Sequence, residues 1–173
     1  APIRPSYYGG KPASCVAVVR SAVSTVLSGG GVVTTDIPGV LPVDIAFNKA
    51  GTRFAVATPG SQTVFEGTTN FISSGSLCSS NPTPPVVDLL TGESVSFFGQ
   101  PVGVAFTPED ALVVFSREPM KVMIQKADGP WKTILIDQKP VDSPGHRLFH
   151  TAPAATACAS CHPEASEDGH TWT

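Results

Sequence analysis

Two stretches of the chain share one order of apolar and polar positions. Leu41–Ala57 and Gln100–Ser116 each run from a short apolar segment through a polar turn into a second apolar segment. Pro42 aligns with Pro101, Val43 with Val102, Ala46 with Ala105 and Phe47 with Phe106, so the copies lie 59 residues apart (101 − 42 = 59). Short apolar runs on either side of a turn predict a hairpin. The turns are expected at Asn48-Lys49-Ala50-Gly51 and at Thr107-Pro108-Glu109-Asp110. Further strands are expected at Gln62–Glu66, Lys121–Gln125 and Thr133–Ile136, and Val86–Glu93 reads as strand into turn.

Outside the repeat the pattern is less regular. Cys15–Leu27 is rich in Val, Ser and Ala without a 3.6-residue period, which predicts a strand, and Gly29-Gly30-Gly31 breaks it. Ser73–Pro85 is rich in Ser, Pro and Asn and reads as a surface loop containing Cys78. Strand signals stop near Lys139-Pro140. Ser143 then offers an N-cap oxygen and Pro144 suits the first helical position, predicting a short helix from Pro144 to about His150. The chain therefore divides into a β-rich repeat domain over 1–139 and a short, partly helical segment over 140–173.

Composition supports a turn-rich β protein. Hydrophobic residues are 41% of 173, enough for a sizeable core, and 16 Gly with 17 Pro favour short strands over long helices. The net charge of −3 and scattered basic residues argue against a nucleic-acid interface or an anionic-membrane patch. No stretch approaches the ~18 apolar residues of a spanning helix, so no membrane span is expected. Ala1-Pro2-Ile3-Arg4-Pro5 lacks the basic and apolar regions of a signal peptide, as expected for a mature exported protein or an internal fragment.

The strongest chemical signal is Cys158-Ala159-Ser160-Cys161-His162. Two thiols at this spacing can add across the two vinyl groups of one haem, and the following imidazole can ligate its iron. With Cys and His at 4 each in 173, chance gives roughly 0.002 such runs. The expectation is one covalently attached haem c, with Cys158 and Cys161 as thioethers and His162 as proximal iron ligand. Such attachment takes place outside the cytoplasm in bacteria, so a periplasmic, extracellular or cell-surface location follows. Cys15 and Cys78 form an even pair in an oxidising compartment, and a disulfide between them is expected, against the alternative of two buried thiols.

Rival readings use the same residues. Zinc could take Cys158, Cys161 and two histidines, but His146 and His150 precede the cysteines in reversed order. A thioredoxin-like dithiol lacks its βαβ surroundings. In a third reading the repeats form a binding or scaffold module with a haem- or zinc-bearing tail. No Ser-His-acid constellation is defensible, nothing local makes a calcium loop, and Glu164, Glu167 and Asp168 read as a solvated face.

An outer strand ending in Asp88-Leu89-Leu90-Thr91-Gly92 before a Pro-Val-x-x-Ala-Phe hairpin resembles blades of bacterial lactonase-like β-propellers, over roughly residues 40–137. Two such units cannot close a ring, which needs at least about four. The chain is then a piece of a larger propeller, or the repeats form a small open sheet or sandwich. The C-terminal segment resembles the first-haem region of the bacterial di-haem cytochrome c peroxidase and methylamine-utilisation family. Gly145, Leu148, Phe149, Cys158, Cys161, His162, Pro163, Glu164, Asp168, Gly169 and Trp172 sit at matching places. Members continue well past this point with a second haem motif, whereas this sequence stops at Thr173. The resemblance implies electron transfer within a peroxidase-like assembly, with a redox partner protein, a further cytochrome domain or another chain completing the site. Di-haem peroxidase activity does not carry over to this chain alone.

Leu148 and Phe149 are expected against the haem, or alternatively as ordinary core residues. Arg147 is expected to be solvated rather than paired with a propionate. For the distal iron position the residues considered are His146, His150, His170, Met120 and Met123, of which His150 is chosen. A ligand outside this sequence, or an open position, is the leading expectation.

Overall fold

A computed structural model describes residues 3–7, 19–37, 39–69, 86–87, 99–126, 129–136, 143–151, 157–162 and 166. The protein is mainly β, and the described residues form three antiparallel sheets. The first contains β1 (Ile3–Tyr7), β2 (Val19–Val26) and β3 (Val32–Asp36). The second runs in order through β4 (Asp44–Phe47), β5 (Arg53–Thr58), β6 (Thr63–Thr68) and β7 (Val86–Val87). The third repeats that plan with β8 (Pro101–Phe106), β9 (Leu112–Ser116), β10 (Lys121–Gln125) and β11 (Lys132–Leu135). Helix α1 (Pro144–His150) and one 3₁₀ turn (Cys158–Ser160) follow. Among the described residues no helix is long and apolar enough to cross a membrane.

The expected hairpins are present, and their turns match in detail. The Gly51 amide donates to the Asn48 carbonyl and the Asp110 amide to that of Thr107, at 2.9 and 3.0 Å. Gly51 and Asp110 hold equivalent places with φ of 67° and 66°. That left-handed conformation is free for Gly and tolerated by Asp. Asn48 caps the first turn by accepting the Thr52 and Arg53 amides, and Thr107 accepts that of Ala111 in the second.

The 59-residue offset does not persist beyond the turns. Phe47 faces Phe54 across the first hairpin, whereas Phe106 faces Leu112 across the second. From there the spacing is 58 (112 − 54 = 58), because the second turn is one residue shorter. This slip matters because strand side chains alternate between faces. Leu112, Val114 and Met123 are thereby the structural equivalents of Phe54, Val56 and Phe65.

These equivalences explain the core. β5 is covered on both faces, with Phe54, Ala55, Val56 and Ala57 all at 0% exposure. Phe54, Val56 and Phe65 pack with Val23 and Ile37 of the first-sheet region. Ala55, Ala57 and Val64 pack with Val104, Leu112, Val114 and Met123 of the third. The sheets are stacked face to face, and between the second and third the larger Leu112, Val114 and Met123 lie on Ala55, Ala57 and Val64. No closed ring is present among the described residues. Two polar links cross between the second and third sheets. Asp44 Oδ2 accepts the Val104 amide at 2.8 Å. Arg53 joins Glu66 of its own sheet to Asp110, Nη1 lying 3.1 Å from Asp110 Oδ2, with its guanidinium 5.3 Å from the Phe106 ring centre.

The first 37 residues contain more strand than the sequence predicted. β2 falls within the expected Cys15–Leu27 strand, while β1 and β3 were not anticipated. Cys15, Cys78 and the Ser73–Pro85 loop lie outside the described residues. So does the part of the expected 86–93 strand beyond Val87.

Candidate functional site

The C-terminal segment carries the residues of chemical interest. α1 spans the predicted Pro144–His150, with Pro144 in its first turn and Ser143 at the N-cap accepting the His146 amide at 3.4 Å. Its last turn carries Arg147, a cation suited to a helix C-terminus, together with His150. The helix contacts the turn at Cys158–Ser160.

That turn follows from its hydrogen bonds. The Cys161 and His162 amides both donate to the Cys158 carbonyl, at 3.2 and 2.9 Å. A 3₁₀ turn has three residues per revolution, so positions i and i+3 eclipse. Cys158 and Cys161 therefore emerge on the same side. Ala157 and Ala159 are buried and anchor the turn, while Cys158 is exposed and Cys161 half-buried, both as thiols.

His162 is exposed, with Nδ1 3.1 Å from the Ser166 carbonyl oxygen. A carbonyl only accepts, so Nδ1 carries the hydrogen and Nε2 of the neutral ring keeps its lone pair. Two sulfur nucleophiles can make carbon–sulfur bonds on one side, and one imidazole nitrogen can bind a metal.

The remaining candidates are spread out. Met123 is 5% exposed within the core between the second and third sheets, which fits the core role and removes it from the iron-ligand candidates. Met120 is 39% exposed. Leu148 is 74% exposed, so it is not a core residue, and Phe149 is half-buried with its ring 5.1 Å from that of His150. His146 and His150 stack at 4.0 Å, and His150 Nδ1 donates to the His146 carbonyl at 2.9 Å, leaving the His150 Nε2 lone pair available.

His146 Nδ1 lies 3.3 Å from Glu118 Oε1, in the β9–β10 turn, but both ring nitrogens are buried without a well-oriented hydrogen bond among the described residues. Burial pushes the His146 pKa below its ordinary value. His150 and Arg117 act in the same direction, and together they outweigh Glu118. Glu118 and Ser166 are contacts that the sequence did not single out. Ser166 acts through its backbone, which leaves no side-chain signature, and Glu118 stands 28 residues before its partner (146 − 118 = 28).

Among the described residues no three His, Cys, Asp or Glu side chains converge to hold a bare metal ion, and the Cys₂His₂ zinc arrangement is not formed there. His170, Pro163, Glu164, Glu167, Asp168, Gly169 and Trp172 lie outside the described residues. No protein-family model matches the chain, and no curated protein matches it.

Proposed function

We propose that this chain is an exported c-type cytochrome module, in which propeller-blade-like sheets carry a C-terminal segment bearing one haem. Cys158 and Cys161 hold it covalently, and His162 is the proximal iron ligand. The observation that carries this reading is the 3₁₀ turn, which sets both thiols on one side, beside an imidazole whose Nε2 is left as the electron-pair donor.

Each thiol would add across one vinyl double bond of the haem, sulfur to one vinyl carbon and hydrogen to the other, an addition that would need no external oxidant. The Ser166 carbonyl holds the Nδ1 hydrogen, which fixes the ring's orientation and raises the basicity of Nε2. Leu148, 74% exposed on the helix that contacts this turn, is an apolar side chain suited to cover a porphyrin edge and exclude water. Bound haem supplies one-electron iron chemistry, and electron exchange with a redox protein, a further cytochrome domain or another chain is the role assigned. His150 is retained as the distal candidate on the strength of its available Nε2.

The test is expression, in exported form, in a bacterium that attaches c-type haem. The denatured wild-type chain is expected to keep its Soret absorption, and the Cys158→Ser/Cys161→Ser double variant to lose it. A colourless wild-type chain that folds equally well overturns the proposal and leaves the binding-module reading.

A further inference from the structure

Apart from the cysteine turn, α1 carries a second pair of metal-capable groups. His146 and His150 stand one helical turn apart, so both imidazoles lie on the same side of the helix. Their rings are stacked, with centres 4.0 Å apart and planes 29° apart. Metal–nitrogen bonds of about 2.0–2.1 Å put the nitrogens of one coordination shell about 3–4 Å from each other, which is the scale of that spacing. Two histidines at this interval on a helix are a recurring chelate for a divalent ion.

Each ring also has an oxygen acceptor beside its Nδ1. His150 Nδ1 donates to the His146 carbonyl at 2.9 Å, which leaves the lone pair on Nε2. Glu118 Oε1 lies 3.3 Å from His146 Nδ1, and a carboxylate there favours the hydrogen on Nδ1 and the lone pair on Nε2. A carbonyl or carboxylate behind the ring is what orients metal-binding histidines and raises their basicity. His146 adds an anomaly. Both its ring nitrogens are buried, and neither makes a well-aligned hydrogen bond among the described residues. Buried polar atoms are nearly always partnered, so an exception points to a ligand.

We infer that His146 and His150 together bind one divalent late transition-metal ion through their Nε2 atoms, with Glu118 as the positioning residue behind His146. Imidazole favours zinc, nickel and copper over hard, oxygen-seeking cations, and copper(II) binds tightest in that series. No third His, Cys, Asp or Glu side chain converges on the pair among the described residues. Water therefore completes the shell, and the ion is exchangeable rather than structural. His150 Nε2 can serve this ion or a haem iron but not both, so an occupied pair removes His150 as the distal candidate. The inference goes beyond the cytochrome reading and needs no haem.

The test uses the full chain carrying Cys158→Ser and Cys161→Ser, with any remaining thiols alkylated, so that its outcome is independent of haem attachment. Calorimetric titration with copper(II) over about 1 μM to 1 mM is expected to show one ion bound. Its electron paramagnetic resonance spectrum is expected to show coupling to two nitrogens. Glu118→Gln should weaken binding about 10- to 100-fold, and His146→Ala and His150→Ala should weaken it more. Should His146→Ala fail to fold, His150→Ala, whose ring is only half-buried, decides the matter. Copper bound with unchanged affinity and spectrum in His150→Ala, or no binding at any of these concentrations, overturns the inference.

Discussion

The Asp44 carboxylate accepts the backbone amide of Val104 at 2.8 Å, tying the first strand of the second sheet to the first strand of the third. Val104 is 8% exposed, so its amide depends on this partner rather than on water. An unpaired buried amide costs about 1–3 kcal/mol. Asp44→Ala is expected to lower stability by about that amount, while Asp44→Asn, which keeps an acceptor, loses less. Urea denaturation of the three proteins checks the order. Equal losses for Ala and Asn would mean that the carboxylate charge, and not the acceptor, is what counts.

Asp110 occupies a left-handed turn position at φ 66° and also receives Arg53 at 3.1 Å. The two roles separate by substitution. Asp110→Gly relieves the backbone while losing the ion pair, and the two effects, each about 1 kcal/mol or less, are expected nearly to cancel. Asp110→Ala loses the pair and keeps the strain, so it should be the less stable variant by about 1 kcal/mol. Thermal melts of both variants decide this, and an Ala variant as stable as the Gly variant contradicts it.

His146 should make the docking of α1 sensitive to acid. Burial, the largest cause, lowers its pKa in the folded protein, so the undocked form binds the proton more readily. The stabilising contribution is present above the unfolded value near 6.5 and is lost as pH falls from there toward the lower folded value. Amide exchange within α1, corrected for its intrinsic pH dependence, should accelerate below about pH 6.5 in the wild type. The acceleration should be much reduced in His146→Leu. Protection that rises on acidification would instead show that the Glu118 pair dominates.

The two cysteines are expected to differ in exposure and to act additively in attachment. Cys158→Ser and Cys161→Ser alone should each keep one thioether and give reduced haem yield, with a changed absorption spectrum. The double variant should have none. Mass analysis of tryptic peptides from the single variants checks this, and a single variant that carries no haem, or one with wild-type haem yield and spectrum, contradicts it.

Local chemistry made some of this protein legible from sequence. α1 matched its expected bounds because a capping serine and an N1 proline act within one turn. The hairpins were legible for the same reason, since Asn48 and Gly51 fix their turn from nearby. The one-residue slip after Phe106 was not, because both alignments leave apolar residues throughout β9 and only cross-strand pairing chooses between them. β3 was missed because Val32-Val33-Thr34-Thr35 lies between glycine-rich and turn-forming segments and gains its strand partner from β2. In the site, the thiol and imidazole motif was plain, while the Ser166 carbonyl and Glu118 contacts arise from chain folding and have no sequence pattern.

The most direct measurement is the intact mass of the exported chain, purified from a haem-attaching host and denatured before analysis. One species heavier than the polypeptide by a single haem is expected, with the added mass on the peptide containing Cys158 and Cys161. A chain of bare polypeptide mass, with both of these thiols open to alkylation, would contradict it.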